Sequence, residues 1–185
     1  MNISRVVVVG TTGSGKTTLA ERLAQILHVP HIELDALHWE PNWVPAPLEV
    51  FRARVQQAVG EEAWVVDGSY GKGRDLVWAR AQMIVWLDYP LALVLWQLFN
   101  RTARRVMTKE ELWSGNRERW QDHFGRDSLF IWAITSHASH RRYPAIARNE
   151  YPHLEFVRLR SPRETEAWLN QFKLQVVEGE ETRGV

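Results

Sequence analysis

A glycine-rich segment of eight residues is the strongest constraint on how this chain can fold. Residues 10–17 read Gly-Thr-Thr-Gly-Ser-Gly-Lys-Thr, the G-x-x-x-x-G-K-T pattern of a phosphate-binding loop. A β-branched run at residues 5–9 precedes the loop and is typical of a buried strand. After it, apolar residues recur at helical spacing over residues 16–28. The segment is therefore predicted to join a strand to a helix, which is the context that this motif requires.

The chemistry of the loop follows from its residue types. Glycines let backbone N–H groups turn toward phosphate oxygens, and the following helix adds the positive end of its dipole. Lys16 is placed to reach the β- and γ-phosphates of a nucleotide, and the Thr17 hydroxyl to bind Mg²⁺. The predicted nucleotide-binding residues are Gly10, Thr11, Thr12, Gly13, Ser14, Gly15, Lys16, Thr17 and Thr18.

The amino-acid composition indicates how many domains the chain can form and which kinds of site it can contain. A chain of 185 residues that is 45% hydrophobic can form one domain with a sizeable core. The absence of cysteine excludes disulfides, thiol catalysis and zinc–thiolate sites. The net charge is only +1, yet residues 100–148 hold ten Lys or Arg against five Asp or Glu. A basic segment in a chain with a phosphate loop suggests anionic ligands.

Short apolar runs alternate with helical patterns along the chain. The predicted strands cover residues 5–9, 31–34, 64–66, 83–87 and 154–159. The predicted helices cover residues 16–28, 47–59, 91–106 and 162–172, and residues 115–148 are predicted to be helical and basic. This alternation predicts an α/β fold in which helices cover both faces of a parallel sheet.

Two capping patterns and a polar tail complete the local predictions. Thr108 and Glu111 have the spacing of a capping box that would open a short helix. Ser161, Pro162 and Glu164 combine an N-cap, an N1 proline and an N3 glutamate at the start of the last helix. Residues 174–185 are polar and contain glycine, so a disordered tail is predicted there.

Ligands of parallel α/β sheets bind beyond the carboxyl ends of the strands. The residues that follow the predicted strands include the phosphate loop and three acids, Asp35, Asp67 and Asp88. Aspartate also favours turns, so its position alone does not distinguish a catalytic acid from a turn residue.

Several motifs together resemble the small P-loop kinases of the adenylate kinase and shikimate kinase group, most closely the adenylate-kinase-like "topology modulation protein" family. The motifs are G-T-T-G-S-G-K-T-T-L-A at 10–20, H-I-E-L-D-A-L-H-W at 31–39, W-V-V-D-G-S-Y at 64–70, I-V-W-L-D-Y-P at 84–90, R-x-x-R-R at 101–105 and L-R-S-P-R-E at 159–164. The resemblance implies a P-loop NTPase three-layer sandwich with a five-stranded parallel sheet. It also implies one domain over residues 1–173, with a helical lid over about 100–148.

The resemblance also implies roles. ATP and Mg²⁺ are the expected cofactors, with Asp67 as the acid that holds the metal beside Thr17. Asp35 is placed to orient or deprotonate the acceptor, and Arg101 and Arg105 to contact phosphates from the lid. The remaining residues expected at the site are Ser161 and Arg163 near the adenine, and Trp39, Gly68 and Arg74 near the acceptor.

The chain lacks the motifs that set substrate specificity in adenylate kinases and in shikimate kinases. Gly68-Ser69-Tyr70 stands where adenylate kinases carry Gly-Phe-Pro-Arg, and that arginine is absent. The second acid of the shikimate kinase D-x-D pair is missing too, because Glu33 occupies the earlier position. These departures put AMP in doubt as the acceptor and argue against shikimate.

The resulting expectation is ATP- and Mg²⁺-dependent phosphoryl transfer to a small molecule. A nucleotide or nucleoside monophosphate is the leading acceptor on the resemblance, and a hydroxyl-bearing metabolite is the second.

The alternative is a nucleotide-dependent regulatory protein that acts on nucleic acid through residues 100–148; no recognised nucleic-acid module supports it. With no signal peptide or membrane-spanning stretch in the sequence, a cytoplasmic location is the default expectation.

Overall fold

The structure, a computed structural model, describes residues 3–119 and 128–181. The strands are β1 Arg5–Gly10, β2 His31–Glu33, β3 Trp39–Glu40, β4 Val44–Pro45, β5 Trp64–Asp67, β6 Met83–Leu87 and β7 Glu155–Leu159. The helices are α1 Lys16–Leu27, α2 Leu34–His38, α3 Leu48–Ala58, α4 Arg74–Trp78, α5 Leu91–Thr108, α6 Leu129–His140, α7 Tyr143–Glu150 and α8 Pro162–Glu181.

Five of the strands form one parallel sheet in the order β2-β5-β1-β6-β7. Strand β1 is central, and Val6 to Val9 are at most 1% exposed, which explains the unbroken β-branched run in the sequence. The predicted α/β fold with a five-stranded parallel sheet is confirmed.

Two separate hydrophobic clusters lie on the two faces of the sheet. On one face, Val6 and Val8 pack with Leu23 of α1 and Leu169 of α8. On the other face, Val7 and Val9 pack with side chains of α3, α4 and α7. Successive residues of β1 thus point to opposite faces, and the result is a three-layer sandwich.

The region after β2 is more ordered than the sequence predicts. Strand β2 ends at Glu33, one residue earlier than predicted, and Asp35 lies in the first turn of α2. Beyond α2, strands β3 and β4 form a small antiparallel hairpin in the stretch that precedes Pro47. Elements this short leave no periodic signal in the sequence, which is why they were not predicted.

The capping box predicted at Thr108 and Glu111 is wrong. The Thr108 hydroxyl donates to the carbonyl oxygen of Arg104 at 2.9 Å, so Thr108 ends α5 instead of starting another helix. Glu111 forms an isolated antiparallel bridge with Arg117. Trp113–Gly115 form a short 3-10 turn and residues 116–119 are not helical, whereas α6 and α7 confirm helical structure over much of residues 129–150. Residues 120–127 lie outside the described part of the chain.

The last helix begins as predicted and ends later. The Glu164 amide donates to the Ser161 hydroxyl at 3.2 Å, and the Glu164 carboxylate accepts from the Arg160 amide at 2.7 Å. Helix α8 continues to Glu181, so the prediction of a disordered tail is wrong for residues 174–181. Val176 packs against the core cluster beneath the helix, which holds this segment against the domain.

Within the described ranges, no helix is long and apolar enough to cross a membrane.

Candidate active site

The phosphate loop connects β1 to α1 and keeps positive backbone φ angles at three glycines, Gly10, Gly13 and Gly15. At Gly13 the φ angle is 85°, and a Cβ atom there would lie 2.8 Å from the Cβ of Leu98 in α5. A side chain is therefore excluded by backbone conformation and by space together. This close approach brings α5 against the loop.

Lys16 is held over the loop by a backbone contact. Its ammonium donates to the carbonyl oxygen of Thr11 at 3.1 Å. Burial lowers the pKa of Lys16, while the charges of Asp67 and Asp35 act in the opposite direction. The lysine thus lies among the groups that would surround a transferring phosphate.

Thr17 and Asp67 meet at the carboxyl ends of β1 and β5. The Thr17 hydroxyl donates to Asp67 Oδ2 at 2.6 Å, and His31 Nε2 lies 3.3 Å from Asp67 Oδ1. A hydroxyl and a buried carboxylate are hard oxygen ligands, as Mg²⁺ prefers. The described residues contain no group of three or more His, Cys, Asp or Glu placed to hold a metal alone. A Mg²⁺ that keeps waters and substrate phosphates needs no such group, so the pair fits this ion.

Asp35 faces this site from the neighbouring β2 and α2 region. The Tyr70 hydroxyl donates a hydrogen bond to Asp35 Oδ1. Burial, followed by the charge of Asp35, raises the pKa of Tyr70, so the phenol remains a donor. Tyr70 was not predicted as a site residue, although it stands in the W-V-V-D-G-S-Y motif; only the fold reveals that its hydroxyl reaches Asp35.

The two predicted arginines of α5 have different surroundings. Among the described residues, the Nε atom of Arg101 is buried without a hydrogen-bond partner, and burial lowers the pKa of this guanidinium. The charge of Asp35 acts on Arg101, and the charge of Arg101 acts on Lys16. Arg105 instead forms an ion pair with Glu118, with 3.1 Å between Nη1 and Oε1. Arg101 is therefore the α5 arginine associated with the site.

Of the other residues predicted near the acceptor, Gly68 and Trp39 lie beside α2, whereas Arg74 begins α4. Gly68 has a φ angle of 134°, and a Cβ there would lie 2.8 Å from the Cβ of Leu34, so this glycine lets α2 pack closely. Trp39 meets Trp43 edge-on at 5.6 Å between ring centroids. The guanidinium of Arg74 lies 5.4 Å from the ring centroid of Trp78.

Two histidines of α6 contact the loop. Nδ1 of His137 lies 3.2 Å from the Thr11 hydroxyl, and Nδ1 of His140 lies 3.4 Å from the same atom. Burial, and then the charge of Lys16, lowers the pKa of His140 to about 4. Neither histidine can be assigned to the loop from the sequence, because a spacing of three residues shows only that the two share a helix face.

Ser161 and Arg163 lie at the start of α8. Ser161 caps the helix, and Arg163 is exposed. Among the described residues, no hydrogen bond joins either of them to the phosphate loop. Their contact with adenine stays a prediction.

Comparison with known proteins finds solved structures with a similar fold. No protein-family model and no curated protein matches the chain. A gluconokinase from Sinorhizobium meliloti 1021 is 20% identical with a TM-score of 0.54, and the match covers 95% of this chain and 97% of that one. Shikimate kinases from Acinetobacter baumannii and Bacteroides thetaiotaomicron are 14% and 16% identical, with TM-scores of 0.56 and 0.52. These matches cover 97% and 94% of this chain, and 95% and 98% of the respective kinases. At these identities the likeness establishes the fold, which is that of P-loop kinases.

Proposed function

We propose that the protein is an ATP- and Mg²⁺-dependent kinase of a small molecule. The observation that carries this proposal is the convergence at one edge of the sheet. Lys16, the Thr17–Asp67 pair and Asp35 lie at or next to the carboxyl ends of three adjacent strands, β1, β5 and β2. This is where ligands of such sheets bind, and the fold is that of P-loop kinases.

On the donor side, the chain supplies positive charge and hydrogen-bond donors. The loop amides and Lys16 bind the nucleotide phosphates, and Arg101, which is half-buried, adds a positive charge nearby. Thr17 and Asp67 hold Mg²⁺, which neutralises charge on the phosphates when it is bound. Ser161 and Arg163 are proposed to lie against the adenine.

On the acceptor side, Asp35 serves as the base. Its Oδ1 is occupied by the Tyr70 hydroxyl, which fixes the orientation of the carboxylate and leaves Oδ2 to accept a proton. The acceptor oxygen forms a bond to the γ-phosphorus, and the bond from that phosphorus to the β–γ bridging oxygen breaks. The proton of the acceptor hydroxyl passes to Asp35, and ADP leaves.

Two acceptor classes are proposed, in the order that the sequence resemblance gives. A nucleoside monophosphate would place its base near Trp39 and its phosphate near Arg74. A hydroxyl-bearing metabolite is favoured by the pair of acids Glu33 and Asp35 on this side, and the structural relatives are named as gluconokinase and shikimate kinases. Asp35 as a base suits the second class directly, because a hydroxyl group carries the proton that the base removes.

The regulatory alternative rests on the basic residues 100–148. Several of these arginines are paired with carboxylates: Arg104 with Glu110, Arg105 with Glu118, and Arg117 with Glu111. Such pairing reduces the positive charge available to a phosphate backbone, which favours the kinase. Binding to DNA or RNA that falls steeply with salt would support the alternative.

The test is ADP formation from ATP and Mg²⁺ in the presence of single acceptors. The panel contains nucleoside monophosphates, nucleosides and hydroxylated acids and sugars, and Lys16→Ala is the blank. Turnover that depends on an acceptor and disappears in Lys16→Ala supports the proposal. Equal, acceptor-independent ADP formation across the panel would contradict it.

A further inference from the structure

The segment that follows α5 docks on the β3–β4 hairpin through the side chain of Asn116. Its Oδ1 accepts from the Trp43 amide at 2.9 Å, and its Nδ2 donates to the Glu40 carbonyl oxygen at 2.9 Å. Asn116 is only 4% exposed. The Ser114 hydroxyl adds a hydrogen bond to the Trp39 carbonyl oxygen at 2.7 Å. We call the two segments, residues 39–45 and 112–117, the clasp.

The shape of the clasp segment 112–117 is fixed from within. The Leu112 amide donates to the Asn116 carbonyl oxygen at 2.7 Å, and Gly115 has a φ angle of 76°. The neighbouring Glu111 and Arg117 pair as an isolated bridge. The segment therefore meets the hairpin as a turn whose shape is held by its own hydrogen bonds.

The clasp carries Trp113 into the acceptor side of the site. The Trp113 indole donates to Glu33 Oε2 at 3.2 Å, and its ring lies 6.4 Å from that of Trp43, centroid to centroid. Glu33 ends β2, pairs in register with Asp67, and lies two residues before Asp35. Trp113 thus contacts a carboxylate that lies beside the two that the proposed reaction uses, Asp35 and Asp67, from a part of the chain some 80 residues away.

The charges beside the clasp indicate what it can hold. Arg54 is paired with Glu40 at 2.8 Å, and Arg117 is paired with Glu111 at 3.1 Å. Beside Glu33 the clasp presents indole rings, and its one basic residue, Arg117, is the one paired with Glu111. Outside the clasp, the charge of His31 acts on Glu33, but His31 already contacts Asp67. Aromatic faces and a carboxylate suit hydroxyl groups on an apolar frame, whereas an anion held by the clasp would meet Glu33 with no unpaired basic residue of the clasp beside it.

We propose that Trp113 is a specificity-determining residue of the acceptor site, and that the part of the acceptor that the clasp holds is uncharged and bears hydroxyl groups. This inference rests on the proposed function and selects between its acceptor classes. Trp113 acts by covering the acceptor and by fixing Glu33, whose second oxygen accepts a hydroxyl hydrogen of the acceptor.

The kinetic test compares Trp113→Phe with Trp96→Phe, a substitution of an exposed tryptophan on α5. Trp113→Phe keeps an aromatic ring but removes the indole N–H. The KM for the acceptor should rise about tenfold, as the loss of one hydrogen bond to a charged group would cause, and the KM for ATP should not change. Trp96→Phe should match the wild type. An unchanged acceptor KM in Trp113→Phe overturns the role of Trp113.

The acceptor class is tested with matched probes in the same assay. Adenosine and D-glucitol should give higher kcat/KM values than their anionic partners, AMP and D-gluconate. A preference for both anionic partners overturns the uncharged class.

A measurement without turnover tests the clasp itself. In Asn116→Ala, backbone amides of residues 39–46 should exchange hydrogen about tenfold faster than in the wild type, whereas Asn100→Ala on the exposed face of α5 should leave them unchanged. Unchanged exchange in Asn116→Ala shows that the clasp does not exist as described. If the wild type turns over no acceptor, the proposed function fails and the role of Trp113 with it, while the exchange result still decides whether the clasp forms.

Discussion

At the scale of single residues, the polar side chains of the candidate site already have hydrogen-bond partners within the protein. One oxygen of Asp35 is bound by Tyr70, one oxygen of Asp67 is bound by Thr17, and the Lys16 ammonium contacts a loop carbonyl. These contacts orient the groups before any ligand binds, which reduces the reorganisation that the reaction requires. The acids were predictable because they follow apolar strands. Tyr70 and the two histidines were not, since their partners lie far away in the sequence.

His140 gives a prediction for stability against pH. Its pKa of about 4 in the folded protein lies below the unfolded value of about 6.5, so the folded state binds this proton less well. The stability that His140 contributes is present above pH 6.5 and is lost as the pH falls toward 4. Between pH 7 and pH 5 the loss should be about 2 kcal/mol. We expect the free energy of unfolding of the wild type to fall by that much more than that of His140→Gln.

Denaturant unfolding of both proteins at the two pH values measures the difference. Carboxylates titrate in this range as well, and the comparison with His140→Gln cancels their contribution. An equal fall in the two proteins would show that His140 is not held in its neutral form by the fold.

At the scale of elements, prediction succeeded where a pattern is local and failed where a contact is distant. The strands and the capping box of α8 follow from runs of apolar residues and from fixed spacings. Helix α2 and the hairpin are too short for periodicity, and the turn at 112–117 is held by Asn116 against a hairpin that lies some 73 residues earlier. The wrong capping box at Thr108 has a different cause, because its hydroxyl donates to the carbonyl oxygen of Arg104, a contact as local as the one that the spacing predicted.

Substitution of Ser161 distinguishes its role as the cap of α8 from the proposed contact with the nucleotide. Because its hydroxyl accepts from the Glu164 amide, Ser161→Ala should lower the free energy of unfolding by about 1 kcal/mol. If Ser161 serves only the helix, the affinity for ATP should remain that of the wild type. Denaturant unfolding and ATP titration of the same variant measure both quantities. A loss of affinity with no loss of stability would assign Ser161 to the nucleotide instead of the cap.

At the scale of the whole molecule, the phosphate loop is where several layers meet. Helix α5 approaches Gly13, α6 contacts Thr11 through two histidines, and Ser69 after β5 hydrogen-bonds Gly10. A ligand bound at the loop therefore contacts a structure that the rest of the fold supports. The glycine motif predicted the loop, and the alternation of strands and helices predicted the parallel sheet. The contacts that α6 and the clasp make with them depend on residues far away in the sequence.

This arrangement predicts that nucleotide stabilises the entire fold. At a Mg²⁺–ATP concentration of about 100 times the Kd, the free energy of unfolding should rise by about 2.7 kcal/mol. Lys16→Ala should lose most of this gain at the same concentration, because we propose that this lysine binds the nucleotide phosphates. Thermal unfolding with and without the nucleotide gives the measurement. An equal gain in the two proteins would place the nucleotide away from Lys16.

The most direct test of the account separates binding from transfer with one substitution. Asp35→Asn keeps the size of the side chain and an oxygen for Tyr70, but it removes the base. In a reaction with ATP, Mg²⁺ and the best acceptor of the panel, we predict that phosphorylated acceptor, detected by mass spectrometry, falls to the level of Lys16→Ala. The affinity for ATP should stay within about twofold of the wild type, a difference of no more than about 0.4 kcal/mol. Wild-type amounts of phosphorylated acceptor from Asp35→Asn would contradict the assignment of Asp35 and the acceptor site built around it.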